Sequence, residues 1–289
     1  MANEIELKLA LGATGPEALR HHPCLAGLAP RTTRLGNTYF DTPGGDLEAA
    51  RMALRLRHVD DRLLQTLKTR GEGSGGLSSR GEWEWEVIGP GLDLSRLAAL
   101  PPVTALGEGV LGKLAPRFTT DFVRETWWLE DDSATIEVAL DIGEIRSDGR
   151  EAPIRELELE LKEGDAATVL ELAARLAEDV PLRPSDTSKA ARGGALLAGR
   201  WTLPEGGPPE AWLHRAVVAL DALADTGDDA WRHQARQAFQ RLAELGDDAV
   251  SADAHRLAEA LATPSWLTPA FGQRALALAR RLPGEVSLG

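Results

Sequence analysis

Several residue types and patterns are scarce in this sequence, and each scarcity excludes a class of protein. The chain of 289 residues contains one cysteine, Cys24, which rules out an intramolecular disulfide and fits a reducing compartment. No apolar run reaches the roughly 18 residues of a membrane span, and the first residues do not resemble a signal peptide. We therefore expect a cytoplasmic protein without a membrane partner.

Positive charge is also in short supply. The chain has 32 Lys and Arg against 45 Asp and Glu, a formal net charge of −13. A surface that coats nucleic acid needs an excess of basic residues, so we expect no nucleic-acid partner. A small anionic substrate is still compatible with this charge, because basic side chains can be concentrated inside a cavity.

Two familiar catalytic patterns are missing as well. The P-loop pattern GxxxxGK(S/T) does not occur, and no Ser-His-Asp or Cys-His arrangement is apparent. The glycine- and serine-rich loop over residues 71–81 lacks the Lys-Ser/Thr pair that would hold nucleotide phosphates. Any enzymatic chemistry must therefore come from other side chains.

The sequence does contain a recurring alternation of charged and apolar residues. The run Glu4-Ile5-Glu6-Leu7-Lys8 places three charged side chains on one face of a strand and the apolar ones on the other. The pattern is less regular over residues 117–128, but it returns in Met52–Arg57, Leu63–Arg70, Arg80–Val87, Ala134–Gly143 and Arg155–Lys162. The first 200 residues are thus predicted to hold about eight strands. A short helix is predicted to begin at Pro184.

The charged faces of these strands allow two arrangements. An open antiparallel sheet could turn them toward water. Carboxylates crowded on one strand repel one another, however, so a closed sheet with its charged faces inward accounts for them better. Its lumen would hold Lys and Arg able to bind phosphate oxygens, and Glu able to hold Mg²⁺ or Mn²⁺.

The composition changes after residue 200. Residues 201–209 are rich in Pro and Gly, which is typical of a linker. Strand patterns then vanish, and helical spacing predicts a bundle of four helices. These helices are placed at about Glu210–Asp225, Asp229–Leu245, Ser251–Leu261 and Pro269–Leu282. We predict three regions, 1–200, a linker over 201–209, and an accessory bundle over 210–289.

An ordered set of motifs in residues 2–200 carries a resemblance to a known family. Glu4-x-Glu6-x-Lys8 resembles the ExExK motif of the CYTH superfamily, the triphosphate tunnel metalloenzymes. The motifs that follow in the family's order are Tyr39–Pro43, Leu54–Arg57, Thr66–Lys68, Glu82-x-Glu84, Leu140–Gly143, Glu156–Glu160 and Ser188-Lys189. The whole stretch is most similar to bacterial inorganic triphosphatases, in which a CYTH domain precedes a helical CHAD domain.

The resemblance implies a fold and an activity. The expected fold class is α+β, an eight-stranded antiparallel β-barrel or tunnel with flanking helices, followed by a C-terminal α-helical bundle. The expected reaction is hydrolysis of inorganic triphosphate to diphosphate and phosphate, by attack of water and with Mg²⁺ or Mn²⁺. Because the tunnel is shared, a class IV-type adenylate cyclase, a nucleoside or thiamine triphosphatase, and a non-catalytic polyphosphate-binding module stay open as alternatives.

The resemblance also assigns roles to individual residues. It implies catalytic roles for Glu4, Glu6, Lys8, Arg55, Arg57 and Lys68. It implies substrate contacts for Lys8, Arg55, Arg57, Lys68, Arg80, Glu82, Glu84, Arg117, Arg124, Asp141 and Lys189, with Glu137 completing the lumen. The metal would be held by Glu4 and Glu6 with one or more of Glu156, Glu158 and Glu160, which all share one face of a strand.

The C-terminal region departs from the family pattern. A CHAD domain is longer and basic, whereas residues 205–289 contain eight Arg, no Lys and twelve Asp or Glu. We interpret this region as a diverged or truncated CHAD-like bundle that serves packing or self-association, which would allow a homodimer. His214, His233 and His255 are interpreted as ordinary helix residues rather than as metal or polyphosphate ligands.

Overall fold

A computed structural model describes residues 2–59, 61–72, 77–107 and 109–282. It describes the side chains of these residues except at positions 2–4, 70–72 and 77–80. Two residues with predicted roles, Glu4 and Arg80, therefore have a described backbone, but their side chains lie outside the described part. Part of the glycine-rich loop over residues 71–81 also lies outside it.

The first two thirds of the chain form an antiparallel barrel. Its strands are β1 (Ala2–Leu11), β2 (Arg31–Asp41), β3 (Ala53–Val59), β4 (Arg62–Glu72), β5 (Leu77–Glu86), β6 (Ala115–Glu130), β7 (Ala134–Ser147) and β8 (Arg150–Gly164). They pair in the order β5-β4-β3-β2-β6-β7-β8-β1, and a further β1–β5 pairing joins the two ends of that order. A short ninth strand, β9 (Leu182–Pro184), pairs with the end of β1. The predicted fold class is confirmed.

The alternation in each strand decides which side of the barrel faces in. Leu7 and Leu9 of β1 and Leu157 and Leu159 of β8 are fully buried on the outer side. They pack under the amphipathic helix α5 (Ala166–Leu176), which follows β8 and covers the wall. Because successive side chains of a strand point to opposite faces, covering the apolar face turns the charged face of β1 and β8 into the lumen.

Within the described residues, six helices accompany the barrel. They are α1 (Gly15–Arg20), α2 (Asp46–Ala49), α3 (Leu94–Ala98), α4 (Pro101–Thr104), α5 (Ala166–Leu176) and α6 (Lys189–Ala198). Two 3₁₀ turns occupy Pro23–Leu25 and Leu111–Lys113. The sequence placed the start of α6 near Pro184, which is wrong, because Pro184 pairs with Leu9 in β9. The helix begins after Ser188, whose hydroxyl accepts a hydrogen bond from the Ala191 N–H at 3.2 Å.

Four further helices form the C-terminal bundle, α7 (Pro209–Thr226), α8 (Asp229–Leu245), α9 (Asp248–Ala260) and α10 (Pro269–Arg281). They match the four helices predicted from the sequence. Leu213, Val217 and Leu220 of α7 lie in the bundle core with Phe239. Leu276 of α10 instead joins the apolar cluster outside the barrel, so the two parts are packed together. The division into domains stays a prediction.

None of the described helices combines the length and hydropathy that crossing a membrane would require.

Candidate active site

A cavity of about 1410 Å³ runs through the lumen, and we call it the tunnel cavity. It is lined by most of the residues with predicted roles, namely Glu6, Lys8, Arg55, Arg57, Lys68, Glu82, Glu84, Arg117, Arg124, Glu137, Glu158, Glu160 and Lys189. Two others, Asp141 and Glu156, are almost fully buried and are not among the lining residues that are described. The barrel therefore gathers charges of both signs around one space.

Arg57 of the tunnel cavity is an arginine whose charge no nearby described carboxylate balances. The Arg57 Nε donates to Asn37 Oδ1 at 2.9 Å, and no carboxylate within the described residues lies in ion-pairing distance of its guanidinium. Burial, and then repulsion from Arg55 and Arg124, lower the pKa of Arg57 to about 9. Arg57 is thus charged at neutral pH but unbalanced, which is the condition that favours binding of an anion.

The cations of β3 and β4 are held by neighbours on β5. The Lys68 Nζ lies 3.0 Å from the Glu82 carboxylate. The Arg55 guanidinium is farther from acidic partners, 3.9 Å from Glu82 and 4.0 Å from Glu84. The Thr66 hydroxyl donates to Glu84 at 2.8 Å and accepts from the Arg55 Nε at 3.3 Å. These contacts orient the cations while leaving them facing the cavity.

A tighter ionic network closes the end of the lumen beside α6. The Lys189 Nζ lies 2.8 Å from Asp141 and 3.0 Å from Glu158, and it also contacts Glu156. Arg124 donates two hydrogen bonds of 2.7 Å to Asp141 and a further one to Glu158. Burial would raise the pKa of Glu158, but Lys189 and Arg124 outweigh it and hold that pKa well below its usual value.

This network bears on where a divalent cation could bind. Carboxylate oxygens of Asp141, Glu156 and Glu158 all lie within 4.8 Å of one another. Lys189 and Arg124 already neutralise them, and Arg192 adds a third cation through its contact with Glu156. The group is therefore a balanced ion cluster, less suited to a metal than its geometry alone indicates.

A second set of carboxylates lies on the wall formed by β1 and β8. Glu6 is directly opposite Glu160, and Lys8 is directly opposite Glu158. Like charges directly opposite in a sheet destabilise it. Lys8 Nζ lies 3.6 Å from Glu6, and Lys162 Nζ lies 2.6 Å from Glu160. A divalent cation between the two carboxylates would relieve their repulsion, and hard oxygen donors are the ligands that Mg²⁺ and Mn²⁺ favour.

The C-terminal bundle contributes a wall that the sequence did not predict. Glu210, His214 and Val218 of α7 line the tunnel cavity, together with residues 202–204. Their spacing of four residues puts them on one helix face. That spacing was visible in the sequence, but one helical face carries no indication of which surface it will meet.

Residues 2–193 of this chain match the sequence pattern of the CYTH domain family. The chain belongs to the CYTH domain family. The inorganic triphosphatase of Haemophilus influenzae is 37% identical to the CYTH chain over 195 residues, which are 67% of this chain and 54% of that protein. The chain thus spans about half the length of this curated relative. The resemblance drawn from the motifs is confirmed.

Solved structures with a similar fold are more distant from this CYTH chain. One is a Hippeastrum protein that carries an adenylyl cyclase assignment and has a dominant triphosphatase activity. It is 22% identical, with a TM-score of 0.48, over 69% of this chain and 97% of that one. Another, from Bacillus halodurans and assigned as an adenylate cyclase, is 16% identical, with a TM-score of 0.38, over 61% and 92%. The family assignment rests on the sequence comparisons.

Proposed function

We propose that this CYTH protein hydrolyses inorganic triphosphate to diphosphate and phosphate, with water as the attacking group. The observation that carries the proposal is the unbalanced Arg57, which faces the tunnel cavity beside Arg55 and Arg124. The phosphate oxygens of a linear triphosphate are anionic acceptors for the cations that face the cavity. The Haemophilus influenzae relative is an inorganic triphosphatase, which supports the same substrate.

The chemistry needs fixed positive charge more than a covalent catalyst. Phosphoryl transfer to water spreads negative charge over the oxygens of the transferred group. Cations held on strands are in place before the substrate arrives and stabilise that charge without reorganising. In this proposal Lys8, Arg55, Arg57 and Lys68 bind the phosphates. Arg124 and Lys189 bind more weakly, because carboxylates already balance them.

The proposed metal ligands are Glu6 and Glu160, with Glu4 by the family motif. Glu158 is a weaker ligand than these, because Lys189 and Arg124 already neutralise it. Glu156 is the weakest of the predicted ligands, because it is 1% exposed and bound by Lys189 and Arg192. A bound Mg²⁺ or Mn²⁺ would neutralise phosphate charge and make a coordinated water more acidic. In this proposal, the residues of the lumen hold the substrate and exclude other water molecules.

The size of the tunnel cavity favours a second candidate within the same chemistry. Pockets of about 300–1,000 Å³ hold drug-sized ligands, and this cavity of about 1410 Å³ exceeds them. A nucleoside or thiamine group attached to the triphosphate would therefore fit. Triphosphatase activity on such organic triphosphates is the second candidate function.

The test is phosphate release from tripolyphosphate, ATP and thiamine triphosphate, each with Mg²⁺ and with Mn²⁺. We expect the highest kcat/KM for tripolyphosphate and no release when divalent metal is chelated. A higher kcat/KM for either organic triphosphate would favour the second candidate. A cyclic product from ATP, with tripolyphosphate left intact, would contradict the proposed hydrolysis.

A further inference from the structure

The first helix of the bundle carries a stripe of residues turned toward the barrel. Glu210, His214 and Val218 of α7 line the tunnel cavity, while Leu213 and Val217 on another face lie in the bundle core. One face of α7 thus lines the tunnel cavity while another packs in the bundle core. One of its tunnel-facing residues, His214, can carry positive charge.

The surroundings of His214 fix one of its ring nitrogens. Its Nδ1 lies 2.6 Å from Asp186 Oδ2, and Asp186 also lines the tunnel cavity, three residues before Lys189. The Asp186 side chain is 4% exposed, whereas that of His214 is 37% exposed. Within the described residues no hydrogen-bond partner is assigned to His214 Nε2. A protonated imidazole donates from both nitrogens, so Nε2 can donate to a ligand while Nδ1 donates to Asp186.

Asp186 is itself held in place by the same helix. The carboxylate of Asp221, two helical turns beyond His214, accepts hydrogen bonds from the backbone N–H groups of Asp186 and Thr187 at 3.1 and 3.0 Å. Arg183 donates to the other oxygen of Asp221 at 2.6 Å. The backbone that carries Asp186 is therefore bound to α7, which fixes the imidazole relative to the cavity.

The charged groups around His214 come from three elements. Glu210 and Asp221 lie on α7, Asp186 lies on the segment before α6, and Lys189 opens α6 on the same cavity wall. Burial lowers the pKa of His214, but the hydrogen bond and charge of Asp186, with the charge of Asp221, outweigh it and raise that pKa above the ordinary value. The contact with Asp186 thus favours the imidazolium form of His214.

We propose that His214 is a substrate-binding residue of the tunnel, and that it donates its Nε2–H to an oxygen of the bound phosphate chain. The inference rests on the proposed function and deepens it, because it adds a cation from the bundle to those of the barrel. It also gives the bundle a role at the substrate rather than in packing alone.

The sign of the pH dependence follows from the charge of the bound form. Only the imidazolium adds positive charge, so the contribution of His214 to substrate binding is complete below its pKa and is lost as the pH rises through it. The titration of the phosphate chain itself also changes KM with pH. It is identical for all variants and cancels in the ratio of their KM values.

The experiment measures KM and kcat of full-length His214→Gln for tripolyphosphate between pH 6 and pH 9. We expect the ratio of variant to wild-type KM to be about ten near pH 6, the loss of one charge-assisted hydrogen bond. The ratio should fall toward one near pH 9, with a smaller change in kcat. His233→Gln is the matched control, since His233 lies on α8 and is 66% exposed.

A second variant, Asp186→Asn, tests the same contact without removing the imidazole. Loss of the carboxylate should move the pH dependence of KM toward lower pH, because Asp186 is what raises the pKa of His214. Equal KM values for His214→Gln and wild type across the pH range, with unchanged melting temperatures, would overturn the inference while leaving the proposed function intact. An absence of phosphate release by the wild type would instead overturn the proposed function, and the inference with it.

Discussion

At the scale of single residues, the site is defined by which charges are balanced and which are not. Arg124 has two carboxylate partners, Asp141 at 2.7 Å and Glu158. Arg57 has none within the described residues and is repelled by Arg55 and Arg124. An unbalanced cation inside a folded protein lowers the stability of that protein, and such residues concentrate at functional sites.

This contrast predicts opposite effects of the same substitution at two positions. Arg57→Met should raise the free energy of unfolding by about 1 kcal/mol, because it removes an unbalanced charge. It should also raise KM for tripolyphosphate at least ten-fold. Arg124→Met should instead lower the free energy of unfolding by about 3 kcal/mol, because Asp141 and Glu158 lose their partner. Chemical denaturation measures both, and destabilisation by Arg57→Met would contradict the assignment.

At the scale of elements, the pairing of β1 with β8 forms the proposed metal site. It places Glu6 and Glu160 directly opposite each other, where like charges repel. Lys8 and Lys162 offset part of this repulsion, and a divalent cation between the two carboxylates would offset more of it. Neither strand alone would create this pair. The carboxylates come from residues more than 150 positions apart in the chain.

We therefore expect metal to stabilise the barrel through this pair. In the absence of substrate, Mn²⁺ should raise the melting temperature of the wild type and leave that of Glu6→Gln nearly unchanged. Glu125→Gln serves as the control, because Glu125 pairs with Arg20 outside the tunnel cavity. Equal shifts in Glu6→Gln and wild type would refute a metal role for Glu6.

The packing of α6 on the barrel predicts a second effect at this scale. A Cβ added to Gly193 would lie 2.1 Å from the Phe118 ring, whereas one added to Gly36 of β2 would meet nothing within 4 Å. Gly193→Ala should thus lower the free energy of unfolding by about 2 kcal/mol. Gly36→Ala should change it little. Because α6 carries Lys189, KM should rise in Gly193→Ala alone.

At the scale of the whole molecule, ion pairs link the bundle to the end of the lumen. Arg192 of α6 contacts Glu156 of β8 and lies 2.6 Å from Asp225 of α7. Lys189 contacts the same Glu156. The bundle is thus connected to a cavity-lining cation through buried side chains, which links the stability of the two parts.

Asp225→Asn is expected to lower the melting temperature of the whole chain. It removes one of the two described carboxylates that neutralise the buried Arg192 guanidinium, and only Glu156 is left. The loss should be about 3 kcal/mol in the free energy of unfolding. Asp253→Asn provides the comparison within the same bundle. Its partners Arg274 and Arg281 are about half exposed, so its loss should stay near the value of a surface pair, below about 1 kcal/mol. Equal losses would contradict a link through Asp225.

Much of this arrangement could be predicted from local patterns. Period-2 alternation located the strands, and the spacing of Leu213, Val217 and Leu220 located α7 within two residues of its observed ends. The family motifs then named the charged residues that line the tunnel cavity. The start of α6 was missed because the short pairing of Pro184 with Leu9 leaves no periodic signal in three residues.

Local patterns were sufficient to predict the strands, the helices and the charges that each strand carries, because alternation and helical spacing depend on neighbouring residues alone. The folded arrangement was needed to show which charges are balanced, which carboxylates meet across β1 and β8, and that His214 of the bundle faces the tunnel cavity. Those outcomes depend on distances between residues far apart in the chain, and electrostatic energy is set by distance and burial rather than by residue type.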